Sequence, residues 1–251
     1  MEICFATRSS PGCTNEDAVV AGADFAVVLD GATAEPDTDS GCRHGVRWFA
    51  TELSGRLGRL LTFDRSRTMP LAEILHEACA SVALSHADTC DLANPCSPTA
   101  TVAMVRAGVR LVEYLVLGDA TAALQLNTGE IQVVTDDRIL RFDELPWERL
   151  REFRNVPDGF WVAGSDPHAA HQAIVGGLPA TDVDQVALFS DGATRLVERY
   201  GWKWSELIDT LNARGPAEVI ALTRAMERDS PQRFAGKQHD DATAALCVLG
   251  P

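Results

Sequence analysis

The chain has 251 residues, of which 46% are hydrophobic and 23% charged. That composition excludes a disordered or collagen-like chain, and the length allows one large domain or two small ones. The formal net charge of -14 at pH 7 argues against sequence-independent nucleic-acid binding and against attraction to an anionic membrane, because both need a basic surface.

The elements read in chain order as follows. A first strand and a short AVV strand precede DFAVVL (24–29), an apolar run ended by Asp30-Gly31, which reads as a buried strand and a turn. Val46, Ala50, Leu53, Leu57 and Leu60 recur at steps of three and four and predict a helix over about 43–61. Leu71, Ile74, Leu75, Ala78 and Val82 predict a second helix, to about 88. TATVAMV, VRLVEYLVL, ATAALQL and IQVVT follow within 99–135, broken by short turns, and predict antiparallel hairpins. Trp147 to Phe153 and His168 to Val175 read as short helices. VDQVALFS (183–190) is a strand, helices follow around Trp204–Leu211 and Val219–Met226, and TAALCVL (243–249) is a final strand. Strictly alternating strand–helix units are absent, so antiparallel sheets covered by helix pairs fit better than a doubly wound sheet.

The seven cysteines are odd in number and include no C-x-x-C pair, so they read as small core residues in a reducing compartment. The N-terminal MEICFATRSSPG carries an acid at position 2 and no long apolar run, unlike a signal peptide. No stretch approaches the roughly 18 apolar residues of a membrane span. The expected location is the cytoplasm.

Carboxylates mark the ends of the apolar β runs. The word DGAT occurs twice, at Asp30 after AVVL and at Asp191 after ALFS. Asp119 follows EYLVLG, Asp240-Asp241 precede the last strand, and Glu16-Asp17 precede AVV. One Asp-Gly is ordinary turn chemistry. Five such sites together suggest convergence. Converging carboxylates would repel one another, and a hard divalent cation with oxygen ligands removes that conflict.

The blocks NEDAVV, VVLDGAT, SPTATVAMV, LGDATAAL, LFSDGAT and HDDATAALCVL stand in the order of the metal-dependent protein phosphatases, also called type 2C serine/threonine phosphatases. The resemblance runs from about residue 3 to 249 and looks most like a small bacterial branch. It implies an α+β fold: an α-β-β-α sandwich with two central antiparallel sheets flanked by helix pairs, formed by residues 1–251 as one domain. A variable flap-like region is expected at about 136–180, with Trp147, Trp161 and Pro157-Asp158-Gly159 in an ordered element of its own. It also implies two Mn²⁺ or Mg²⁺ ions. Asp30 would bridge them, the Gly31 carbonyl would ligate the second, and Asp191 and Asp240 would hold the first. Glu16 and Asp17 would bind the second directly or through water, and Asp119 a weaker third. Asp241 stands where the family often has Asn.

The implied activity is hydrolysis of phosphoserine and phosphothreonine monoesters by in-line attack of a metal-bridging hydroxide. Two departures qualify it. Gly12 occupies the place of a phosphate-binding Arg, so Arg8 or Lys237 is the expected substitute cation. Ala32 occupies the place of a His thought to protonate the leaving group, so His44, and more remotely His239, is the expected general acid. Residues 32–41 are expected to form a different rim to the site. The alternatives are a catalytically weak pseudophosphatase that captures a phosphoprotein, and a phosphatase of a small phosphorylated metabolite.

Overall fold

The computed structural model describes residues 1–32, 38–63, 68–142, 144–230 and 237–250, without the side chains of 147 and 148. Strands β1 (Glu2–Arg8), β10 (Ala242–Val248), β9 (Val183–Phe189), β6 (Thr121–Leu126) and β7 (Ile131–Thr135) lie side by side in that order in one antiparallel sheet. Strands β2 (Ala18–Ala21), β3 (Phe25–Ala32), β4 (Thr99–Ala107), β5 (Leu111–Leu117) and β8 (Ile174–Pro179) form a second one.

Alternation along the strands assigns each side chain to a layer. Ala26 and Val28 of β3, with Val105 of β4 and Val116 of β5, meet Leu124, Val186, Leu188 and Ala245 of the other sheet in one buried cluster. Val27 and Leu29 point the opposite way, into the cover of α1 (Gly45–Thr62) and α2 (Leu71–His86). Ala187 and Phe189 of β9 likewise face α4 (Asp191–Glu198), α5 (Trp204–Arg214) and α6 (Pro216–Asp229), which come after the one-turn α3 (Trp147–Leu150) in the chain. The result is the four-layer α-β-β-α sandwich that the resemblance implied. In α1, Val46, Phe49, Ala50, Leu53, Leu57 and Leu61 are buried, the one-sided stripe that its spacing predicts.

Three local expectations change. His168 to Val175 is not one helix: a 3₁₀ turn at Pro167–Gln172 gives way to β8, which pairs with the outer edge of β5. The weak word IVGGLP becomes a strand because β5 offers an open edge. The meander at 99–135 is two hairpins in two sheets, since β4 and β5 belong to one and β6 and β7 to the other. Gly118, with φ +75°, makes the crossing; a Cβ there would meet Thr101 Cγ2 at 2.7 Å. The two DGAT words also differ. The first continues β3, whereas the second opens α4.

Candidate metal centre

The two sheets bring their carboxylates to one end of the sandwich. Asp30 lies near the end of β3 of one sheet, and Asp191 follows β9 of the other. The Asp191 N–H donates to Asp30 Oδ2 at 3.3 Å, which joins the sheets directly. Asp119 sits in the Gly118 crossing, and Asp240 and Asp241 lead into β10. Glu16, Asp30, Gly31, Asp119, Asp191 and Asp240 line one cavity of about 840 Å³, and Lys237 and His239 line it too.

Backbone geometry keeps the site open. Strand β2 begins with Ala18 opposite Leu29, so Asp30–Ala32 extend beyond it, paired to β4 alone. A Cβ on Gly31 would come within 2.6 Å of the Glu16 carbonyl oxygen, and one on Gly192 within 1.9 Å of the Asp241 carbonyl oxygen. Only glycine lets Asp30 and Asp191 lie so close to the segments that carry the other acids.

Asp17 is anchored rather than cavity-lining. The hydroxyls of Ser190 and Thr243 donate to its Oδ2 at 2.9 and 2.7 Å, while its buried Oδ1 has no partner among the described residues. Asp241 is a clamp. It accepts the Ser10 N–H at 2.7 Å and the Glu16 N–H at 2.6 Å, one on each oxygen, and so fixes Glu16.

The electrostatics fit a cation site. Burial, then Asp17, Asp191, Asp119 and Asp240, push the Asp30 carboxyl well above the carboxylate range. Burial raises Asp17 to about 7, against the hydrogen bonds of Thr243 and Ser190, with Asp241 and Asp191 adding to the rise. Burial and the neighbouring Asp191 raise Asp119 to about 7. Burial and Asp240 raise Asp191, opposed by Arg195, and burial and Asp241 raise Glu16, opposed by Lys237. Carboxylates crowded to this degree cannot all stay charged unaided. The donor set is all oxygen, with an orphaned carboxylate oxygen on Asp17, so it suits Mg²⁺ or Mn²⁺.

Not every expected residue arrives. Arg8 is an exposed residue at the end of β1, paired in register with Ala242, and is not among the cavity-lining residues. His44 lies at the start of α1 with its ring stacked on Trp48 at 4.2 Å, also away from the lining. Strand register places Arg8, and the stack on Trp48 places His44, outside the residues that line the cavity. Lys237 does arrive, with Nζ 3.4 Å from Asp240 Oδ1. Burial tends to lower its pKa, but Asp240, Asp191 and Asp30 outweigh this and raise it. Of the altered rim, residues 33–37 lie outside the described residues.

Two groups escaped the sequence reading. Arg154 lines the cavity from the flap-like region, its Nη1 donating to Thr99 Oγ1 at 3.0 Å, and burial lowers its pKa. Its neighbour Asn155, at φ 54°, accepts from Val162 N–H at 2.8 Å and donates to Val162 O at 3.1 Å, which stiffens this loop. Trp161 packs against the core, whereas the Trp147 side chain lies outside the described residues. The second group is a buried network behind Asp240. Arg195, 1% exposed, donates to Asp240 Oδ2 at 3.1 Å and to Glu227 Oε1 at 2.7 Å. Glu227 also binds Arg224 at 2.8 Å and His239 Nδ1 at 2.6 Å. Burial would raise Glu227, but these three donors hold it low. The signal for the network was an Arg four residues after Asp191, facing an Arg and a Glu three apart on α6.

Residues 7–226 match the family described as Protein phosphatase 2C. The chain belongs to that family. Among curated proteins, none matches. The protein phosphatase 2C fold recurs in serine/threonine phosphatase Stp1 from Staphylococcus aureus, at TM-score 0.64 and 16% identity over 100% of this chain and 95% of that one. Mycobacterium tuberculosis serine/threonine phosphatase PstP/Ppp gives TM-score 0.61 and 17% identity over 99% of each chain. The catalytic domain of PstP in complex with 2 manganese ions gives 0.57 and 16%, again over 99% of each.

Proposed function

We propose that this chain is a divalent-metal-dependent phosphatase that hydrolyses phosphoserine and phosphothreonine monoesters of proteins. The observation that carries the reading is the meeting of Asp30, Asp119, Asp191, Asp240 and Glu16 in one cavity. Asp30 would be shared between two cations, with Asp191 and Asp240 on one side and Glu16 and Gly31 on the other. Asp17 holds the geometry from behind, and Asp119 suits a weaker third ion. Mn²⁺ or Mg²⁺ bound there supplies an activated water near neutral pH and offsets phosphoryl charge.

The chain's own residues do the rest. Arg154 and Lys237, which both line the cavity, take the place of the cation missing at Gly12 and bind the phosphoryl oxygens. His239 replaces His44 as the candidate general acid. It lines the cavity, and its contact with Glu227 at 2.6 Å fixes the ring. Asp240, held by Arg195, stays ordered before any metal binds.

The same reading takes residues 1–251 as one domain and places the protein in the cytoplasm, where phosphoproteins are its partners. The acidity disfavours nucleic acid and membranes, and no helix among the described residues is long and apolar enough to cross a membrane. The test is turnover of a phosphothreonine peptide and of p-nitrophenyl phosphate with Mn²⁺, with EDTA, and in Asp30→Asn and Asp191→Asn. Loss of turnover with EDTA and in both variants is expected. Metal-independent turnover, or full activity in the variants, overturns the proposal.

A further inference from the structure

Away from the carboxylates, the start of α1 and the end of α2 bring together three side chains that the sequence keeps far apart. Cys42 Sγ lies 3.4 Å from Cys90 Sγ and 3.7 Å from His86 Nδ1. All three ligand atoms fall within 4.8 Å of one another. Zinc bond lengths of about 2.3 Å to sulfur and about 2.0–2.1 Å to nitrogen give tetrahedral edges of about 3.8 Å (S to S) and about 3.6 Å (S to N). The observed separations are already near those edges.

His86 gives a second, independent sign. It is 4% exposed, and among the described residues its Nε2 has no hydrogen-bond partner while its Nδ1 meets the Cys42 sulfur. A buried imidazole without a nitrogen or oxygen partner is costly, and a metal ion at Nδ1 removes half of that deficit. Burial and the adjacent His44 lower the His86 pKa, which favours the neutral ring that a metal needs.

We propose that Cys42, His86 and Cys90 form a zinc site with two thiolates, one imidazole and an open fourth position for water. Soft sulfur with imidazole selects Zn²⁺ over the hard cations suited to the carboxylate cavity. On binding, the two thiols release their protons to solvent and form two S–Zn bonds. No electron moves. The site ties the segment after residue 38 to the loop that follows α2. Those segments already touch through Asp91 N–H to Gly41 O at 2.8 Å and Asn94 Nδ2 to Asp39 O at 3.1 Å. The ion would therefore act as a clip on the rim beyond Asp30.

The experiment uses the full chain, reduced and kept free of oxygen, with Co²⁺ as an optical stand-in for Zn²⁺. A sulfur-to-cobalt charge-transfer band should appear, saturate at one equivalent and vanish on adding Zn²⁺. Cys90→Ser should lose most of it while keeping the wild-type circular dichroism. The acids of the carboxylate cavity and a second cluster, His76, His168 and His171, offer oxygen and nitrogen ligands only and cannot give that band, and Cys13→Ser, which removes the thiol lining that cavity, should leave the band in place. His168→Ala should therefore keep it in full. In native wild type, Zn²⁺ should shield two thiols from alkylation, and Cys42→Ser should abolish the shielding. Absence of the band in the folded wild type, or its survival at full strength in both Cys42→Ser and Cys90→Ser, overturns the proposal.

Discussion

Asp241 Oδ2 accepts the backbone N–H of Glu16 at 2.6 Å, across 225 positions of sequence. Its other oxygen accepts from Ser10 at 2.7 Å. An acid that touches no proposed ion thus sets where a proposed ligand stands. A carboxylate can accept on both oxygens, whereas an amide turns an NH₂ toward one of the two donors. Asp241→Asn should weaken Mn²⁺ binding about 10-fold or more, the usual cost of losing an outer-shell partner. Isothermal titration with Mn²⁺ reads this directly, and an unchanged affinity would remove Asp241 from the site.

The pair behind Asp240 should be costly to break. Arg195 and Glu227 are each 1% exposed and 2.7 Å apart. Glu227→Ala leaves two arginines without their shared acceptor and should cost about 3–5 kcal/mol of stability. Urea unfolding measures it. The freed Arg195 would also lean harder on Asp240, so Mn²⁺ affinity should fall in the same variant. A loss under about 1 kcal/mol, the range of surface pairs, would show that the network is not buried in solution.

Without metal, stability should rise as pH falls from about 7.5 to 5.5. Asp17 and Asp119 titrate near 7 in the folded chain, against about 3.9 when unfolded. Between those values the folded state binds more protons, so each step down in pH favours it, and the advantage is lost as pH rises through about 7. Melting curves in EDTA should show a midpoint several degrees higher at pH 5.5 than at pH 7.5. Saturating Mn²⁺ should abolish or reverse the trend, since ligation needs the charged carboxylates. A flat profile in EDTA would contradict the crowding of these acids.

Arg154→Ala tests the substitute cation. If this guanidinium binds the phosphoryl group, its loss removes a charge-assisted hydrogen bond worth about 1.5–3 kcal/mol, which is about 10- to 150-fold in kcat/KM. Steady-state kinetics on p-nitrophenyl phosphate should show most of this in KM, with Lys237→Ala smaller because its side chain is 63% exposed. Arg154→Ala with unchanged KM and kcat would return the question of the missing Arg at Gly12.

The strands and helices of the core were readable because periodicity is local. The stripes of α1 and α2 and the apolar runs of β3, β4 and β9 each carry their own pattern within about ten residues. The carboxylates could be picked out for a related reason: acids at the ends of buried strands stand against their apolar background. Element β8 and helix α4 were not readable, since their words are weak and become regular only against β5 and the network around Glu227.

The sequence by itself determined which residues are chemical, an acidic set at strand ends in a recognisable order, and the layered architecture that order implies. Only the tertiary structure decided which of them meet. It placed Arg154 and His239 at the cavity and left Arg8 and His44 outside it. It made Asp241 a clamp and brought Cys42, His86 and Cys90 together from two helix ends. The physical reason is range. Side-chain period and turn chemistry act between neighbours, whereas hydrogen bonding, charge crowding and metal ligation depend on distances of a few ångströms that only packing of the two sheets and their helices sets.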